Sequence, residues 1–165
     1  GRFSGFHVRR AVWQSLLSGA KAGFAYGAHG IWGWHTAGTF PGLDFSGVPY
    51  PWRTALRLQG AWDAGFIKWI FETYNLFDLE PHGGVWHKSP EIRMAASPDG
   101  SKVVMYLPFN DDVRVNIALH EYECISFNLA ERLVAKPEIE ATPEGAALKM
   151  HEFNADVLVM GVRKA

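Results

Sequence analysis

The chain has 165 residues, 48% hydrophobic, 14% aromatic and 20% charged, with 16 basic against 17 acidic side chains for a net charge of −1. That composition excludes a disordered tail. It also offers no electrostatic footprint for nucleic acid or an anionic membrane. No apolar run approaches the roughly 18 residues of a membrane-spanning helix, and the single cysteine, Cys124, leaves no internal disulfide and the redox compartment open.

The average conceals a step. All seven Trp and fourteen of the 17 Gly lie in residues 1–86, which carry a charge of +2, whereas residues 87–165 carry −3. Such a step marks two structural units. The boundary falls in residues 78–84, where Pro81 and Gly83-Gly84 punctuate the chain. Units of residues 1–80 and 81–165 are expected.

The front unit reads helix, strand, loop, helix. Ser4 can cap a helix over residues 7–20, in which Val8, Ala11, Val12, Leu16 and Ala20 share one face. Residues 24–26 read as a short buried strand. In the next stretch glycines alternate with large rings: Gly27, His29, Gly30, Trp32, Gly33, Trp34, His35. Pro51 then opens a second helix over residues 52–75, interrupted near Gly60, with an apolar stripe through Ala61, Trp62, Phe66, Trp69, Ile70 and Tyr74. One strand between two helices leaves its edge groups unpaired. The unit therefore packs on the back half or lacks neighbouring elements.

The back unit reads as antiparallel β. Residues 92–96 lead through the turn Pro98-Asp99-Gly100 to residues 102–107. Residues 113–119 alternate apolar and polar, and residues 124–127, 148–153 and 157–162 supply further strands. Short strands at this spacing predict a small antiparallel sandwich.

The run from Arg9 to Ala20, followed by Ala22 to Trp32, resembles the apiosidase-like glycoside hydrolases, (β/α)8-barrel enzymes with a β-sandwich at the C-terminus. The sandwich carries the family label of a collagen-binding domain. The resemblance continues through Ala55-Leu56, Gly60-Ala61 and Leu79-Glu80-Pro81 to Val103-Val104-Met105-Tyr106-Leu107-Pro108 and Asp156-Val157-Leu158-Val159. It implies a fold class of α/β plus all-β: the last helix–strand–helix elements of a TIM barrel, then the sandwich. Residues 7–20 would be the seventh helix, 24–26 the eighth strand and 52–75 the eighth helix. A complete barrel needs about 250 residues, so the resemblance implies the last part of a larger enzyme. The remaining barrel strands would be a partner, either in the same polypeptide or in another chain.

Barrel enzymes build their sites at the C-terminal ends of the strands. His29, Trp32, Trp34 and His35 are thus the expected substrate-binding residues, with indole faces stacking on sugar C–H surfaces and imidazoles bonding hydroxyls. The opposing reading is a loop folded on its own aromatics. Residues 36–50 are either a rim lid or a plain connection. Glycoside hydrolysis needs two carboxyl groups, about 5 Å apart for retention or about 6.5–9.5 Å for inversion. The resemblance implies both on earlier strands, so no catalytic residue is assigned here. Asp44, the one acid in the loop, fits poorly, and Asp63 and Glu72 read as solvated or capping charges. His29 and His35 lack a third ligand, so no metal and no cofactor are expected. Asp111-Asp112 reads as a solvated turn, Cys124 as a buried structural thiol, and Arg9-Arg10 as a surface or interdomain pair.

The expected function is the C-terminal part of a glycoside hydrolase acting on plant or microbial polysaccharide. A non-catalytic carbohydrate-binding module and a structural interaction domain are the alternatives.

Overall fold

Three layers stack in the computed structural model, which describes residues 2–37 and 47–165. Among the described residues, three α-helices, α1 (Gly5–Leu17), α2 (Trp52–Ala55) and α3 (Gln59–Thr73), precede ten strands. The strands are β1 (Glu80–Pro81), β2 (Val85–Trp86), β3 (Arg93–Ala96), β4 (Lys102–Leu107), β5 (Val113–Val115), β6 (Tyr122–Asn128), β7 (Leu133–Ala135), β8 (Ile139–Thr142), β9 (Gly145–Leu148) and β10 (Val157–Arg163). One sheet runs β1-β3-β4-β10-β6-β7 and the other β2-β5-β9-β8, with every pairing antiparallel. The antiparallel sandwich expected of the back unit is therefore present.

The six-stranded sheet is the middle layer. Along β4, Val103, Met105 and Leu107 join Val113, Val115, Ala146 and Leu148 in a core between the two sheets. Val104 and Tyr106 face the other way, into a second core with Val12, Trp13, Leu17, Ile67 and Ile70 of the helices. Strand β10 divides in the same manner, Val157 and Val159 against Leu158 and Met160. A strand covered on both faces has no polar alternation to show, which accounts for the unbroken apolar runs of β4 and β10. The helices thus share a core with the sheet.

Helix α1 begins two residues earlier than expected. The Ser4 backbone N–H donates to His7 Nδ1 at 3.1 Å, and its carbonyl accepts from the Val8 N–H at 3.2 Å. The second helix is broken as expected, but at residues 56–58, ahead of Gly60. Its buried side also differs. Gly60, Asp63, Ile67 and Ile70 are buried, at spacings of three and four, while Trp62 and Trp69 stay exposed. Gly60 is needed because a Cβ there would lie 2.8 Å from the Tyr26 ring.

Asp63 corrects an expectation. It is neither solvated nor a cap but fully buried, 3.0 Å from Arg9 Nη1. Arg9 also clasps Asp156, through Nη2 at 2.6 Å and Nε at 2.9 Å, and Tyr106 Oη donates to the same carboxylate at 3.2 Å. One guanidinium therefore ties α1 to α3 and to the start of β10. Burial opposes its charge, but the bonds and charge of Asp156, then of Asp63, outweigh that and hold its pKa above the ordinary value.

The strand boundaries shift at other places. Residues 113–119 keep only β5, because a 3-10 turn, Leu119–Glu121, leads into β6. The strand expected at 148–153 lies earlier, as β9. Residues 24–26 form no strand among the described residues, and none of the three makes a backbone hydrogen bond there. A strand requires a neighbour, and the described chain supplies none.

Candidate functional site

The ring-rich stretch folds as a double turn. The Ile31 N–H donates to Ala28 O at 3.1 Å, Trp34 N–H to Ile31 O at 3.0 Å and His35 N–H to Gly30 O at 3.0 Å. Gly30 lies at φ +122°, and a Cβ there would collide with the Tyr50 carbonyl oxygen. Only glycine lets the turn approach residue 50 so closely. The far side is pinned by Tyr50 N–H to His29 O at 3.3 Å and Trp52 N–H to His35 O at 2.8 Å.

This frame holds the large rings outward. Trp32 is 78% exposed and Trp34 64%, whereas His29 and His35 are half-buried beside them. Trp34 has φ 48°, a left-handed conformation that costs a non-glycine residue about 1 kcal/mol. Strain of this kind persists where surrounding bonds impose it and where the position has a use. The Trp34 ring meets Trp52 edge-on, centroids 5.0 Å apart, and the Arg53 guanidinium lies 4.3 Å over the Trp52 ring. His29 and Trp32 are tilted neighbours at 6.1 Å. All four expected residues thus fall on one short rim. Trp52 and Arg53 join it unforeseen, although the Pro-Trp-Arg sequence closing the loop is a visible signal for them.

The rim presents two indole faces to water with imidazoles alongside. That arrangement suits a ligand carrying both apolar faces and hydroxyls. Residues 23–37 contain no Asp or Glu, so proton transfer by a carboxyl group does not arise within this stretch. Asp44 and most of the loop 36–50 lie outside the described residues. Among the described residues, no group of three or more His, Cys, Asp or Glu is placed to hold a metal ion, and no helix is long and apolar enough to cross a membrane.

Beneath the rim, Tyr26 packs on Gly60 and near Asp63. Burial, then the Asp63 charge, raises its hydroxyl pKa. Beside residues 20–26 opens a cavity of about 630 Å³ walled by Leu16, Phe24, Tyr26, Ile67, Phe71 and Phe77. Phe24 and Phe77 are exposed at its mouth. On the sandwich, His87 Nε2 lies 3.0 Å from Asp111 Oδ2, and this bond lowers the Asp111 pKa. Cys124 Sγ donates to Leu119 O at 3.6 Å, and burial pushes its thiol up to about 11, as an inert thiol requires.

Comparison with known proteins bears on the family and the fold. Residues 1–78 match the family model described as "Apiosidase-like, catalytic domain". A solved structure titled "Glycoside hydrolase" superposes with a TM-score of 0.78 over 98% of this chain, at 17% identity. At that identity the likeness concerns the fold. The chain spans 37% of the length of that structure. No curated protein sequence matches.

Proposed function

Since residues 1–78 belong to the apiosidase-like glycoside hydrolases, we propose that the chain forms the sugar-binding end of a (β/α)8-barrel glycosidase together with its accessory sandwich. The observation that carries this reading is the rim itself: Trp32 and Trp34, exposed immediately after residues 24–26, within the family match. In this reading residues 24–26 are the eighth strand, α1 the seventh helix and α2 with α3 the eighth helix. The unpaired backbone of residues 24–26 and the apolar cavity beside them support it, because strands and helices of the remaining barrel would fill both.

The chemistry divides accordingly. Residues following the eighth strand stand at the barrel mouth. The indoles of Trp32 and Trp34 stack on the C–H faces of sugar rings, and His29 and His35 bond the hydroxyls. Glycosidic cleavage needs a carboxyl pair. Residues 23–37 hold none, so the pair comes from earlier strands of the barrel. The substrate is a plant or microbial polysaccharide, and the rest of the barrel is the partner.

Turnover measurements test the rim. An exposed indole can stack on a sugar face, so Trp32→Ala in the complete barrel is expected to lower kcat/KM for polysaccharide about 10–100-fold, which corresponds to about 1.4–2.8 kcal/mol. The secondary structure, read by circular dichroism, should not change. Unaltered kcat and KM would remove Trp32 from the site.

A further inference from the structure

We propose a second saccharide site, in the cleft between the first turn of α1 and the loops at one end of the sandwich. The cleft measures about 540 Å³, within the range of about 300–1,000 Å³ usual for small-molecule sites. Phe6 of α1 forms one wall, and Phe109 and Phe153, seated on the inter-sheet core, form the other. Arg9 and Asp156 line its floor, and Asn154 lies at its lip.

The walls are pre-set. Asn110 Nδ2 donates to His151 O at 2.7 Å and the His151 N–H returns to Asn110 Oδ1 at 2.9 Å. The Met150 N–H donates to Asp112 Oδ1 at 2.9 Å, which clamps the loops bearing Phe109 and Phe153 to each other. A cleft already ordered spends little of its contact energy on ordering when a ligand enters.

The polar groups select the ligand class. Arg9 engages its carboxylate partners through Nε–H, one Nη1–H and one Nη2–H, so two of the five guanidinium donors have no partner among the described residues. The exposed Asn154 amide makes no hydrogen bond there either. An entirely apolar ligand would strip water from these groups and leave them unmatched. Arg9 faces two carboxylates, Asp63 and Asp156, so the floor carries no excess positive charge to attract an anion. What remains is a neutral ligand with hydroxyls and apolar C–H faces, a short saccharide. The choice of saccharide over other polyols rests on the glycosidase reading, since a bound polysaccharide would keep its chain ends nearby. The cleft uses none of the rim residues.

Titration of the 165-residue chain, followed by backbone amide chemical shifts, tests the site with cellotetraose, xylotetraose and mannotetraose as separate probes. The expected result is a saturable shift at Asn110, Asn154 and Ala155 with at least one probe below about 10 mM. Asn154→Ala, at an exposed position that leaves the fold alone, and Phe153→Ala should each weaken it about tenfold or more, while Trp32→Ala leaves it intact. Shifts confined to residues 29–34 and abolished by Trp32→Ala would overturn the second site while supporting the rim. Absence of saturable shifts with all three probes would overturn it as well, and turnover of the complete barrel would still judge the rim separately.

Discussion

Arg9→Met is expected to lower the stability of the chain by about 3–5 kcal/mol, the cost of breaking a buried ion pair from one side. Arg9 is 6% exposed, and its partners Asp63 and Asp156 are 0% and 2% exposed. Methionine would fill the space of the stem but leave two carboxylates buried without their cation. Against a total stability of about 5–15 kcal/mol for a domain, that is a large fraction. For a chain of this length it corresponds to a fall in Tm of about 6–20 °C, measurable by thermal melts in circular dichroism. The loss would spread through the helices and the middle sheet, because the guanidinium joins α1, α3 and the start of β10. Replacing Arg9, Asp63 and Asp156 together by apolar residues should recover much of the loss, since no charge is then stranded. A cost under about 1 kcal/mol for Arg9→Met would show that water reaches the carboxylates.

Trp13 offers the second large effect. It is fully buried where α1 meets α3, stacked at 5.7 Å on Phe71, in the core shared with the sheet. Trp13→Ala should cost about 3–5 kcal/mol through lost burial and the cavity left behind. Trp13→Phe should cost far less than its smaller ring suggests. The Trp13 Nε1–H is buried with no hydrogen-bond partner, and an unmatched donor costs about 1–3 kcal/mol. Phenylalanine removes that group while keeping most of the stacking surface, so a loss within about 1.5 kcal/mol is expected by chemical denaturation. Equal losses for the two variants would show that the indole N–H is satisfied.

Much of the architecture was legible because local signals and burial agreed. Ser4 and the apolar face of α1 located that helix, and Pro98-Asp99-Gly100 located the β3–β4 turn. The face of α3 was misread for a physical reason. Aromatic residues suggested a buried stripe through Trp62 and Trp69, but Asp63 takes the inner position because Arg9, 54 residues earlier, neutralises it. A pattern of apolar residues cannot show a charge satisfied from so far along the chain. The short strands β1, β2, β7 and β8 escaped notice because each is an edge strand or lies at the margin of a sheet, with mostly exposed side chains. The double covering of the middle sheet was written in Val103-Val104-Met105-Tyr106-Leu107, whose lack of alternation excludes a face open to water. At the candidate site, the alternation of Gly with Trp and His marked an unusual stretch, while its expected place after a barrel strand came from the family resemblance. Trp52 joins the rim through the backbone bond from its N–H to His35 O and the edge-on contact with Trp34, contacts that sequence spacing does not reveal.

The central claim, that this chain supplies sugar contacts to a barrel whose carboxyl pair lies elsewhere, is tested most directly by hydrolysis. Release of reducing sugar from a panel of plant and microbial polysaccharides would be measured for the 165-residue chain alone and joined to the polypeptide carrying the earlier barrel strands. The account predicts glycosidic cleavage by the joined protein and none by the chain alone. Cleavage by the chain alone, abolished by Asp44→Asn, would contradict it, and so would a joined protein that binds polysaccharide without cleaving it.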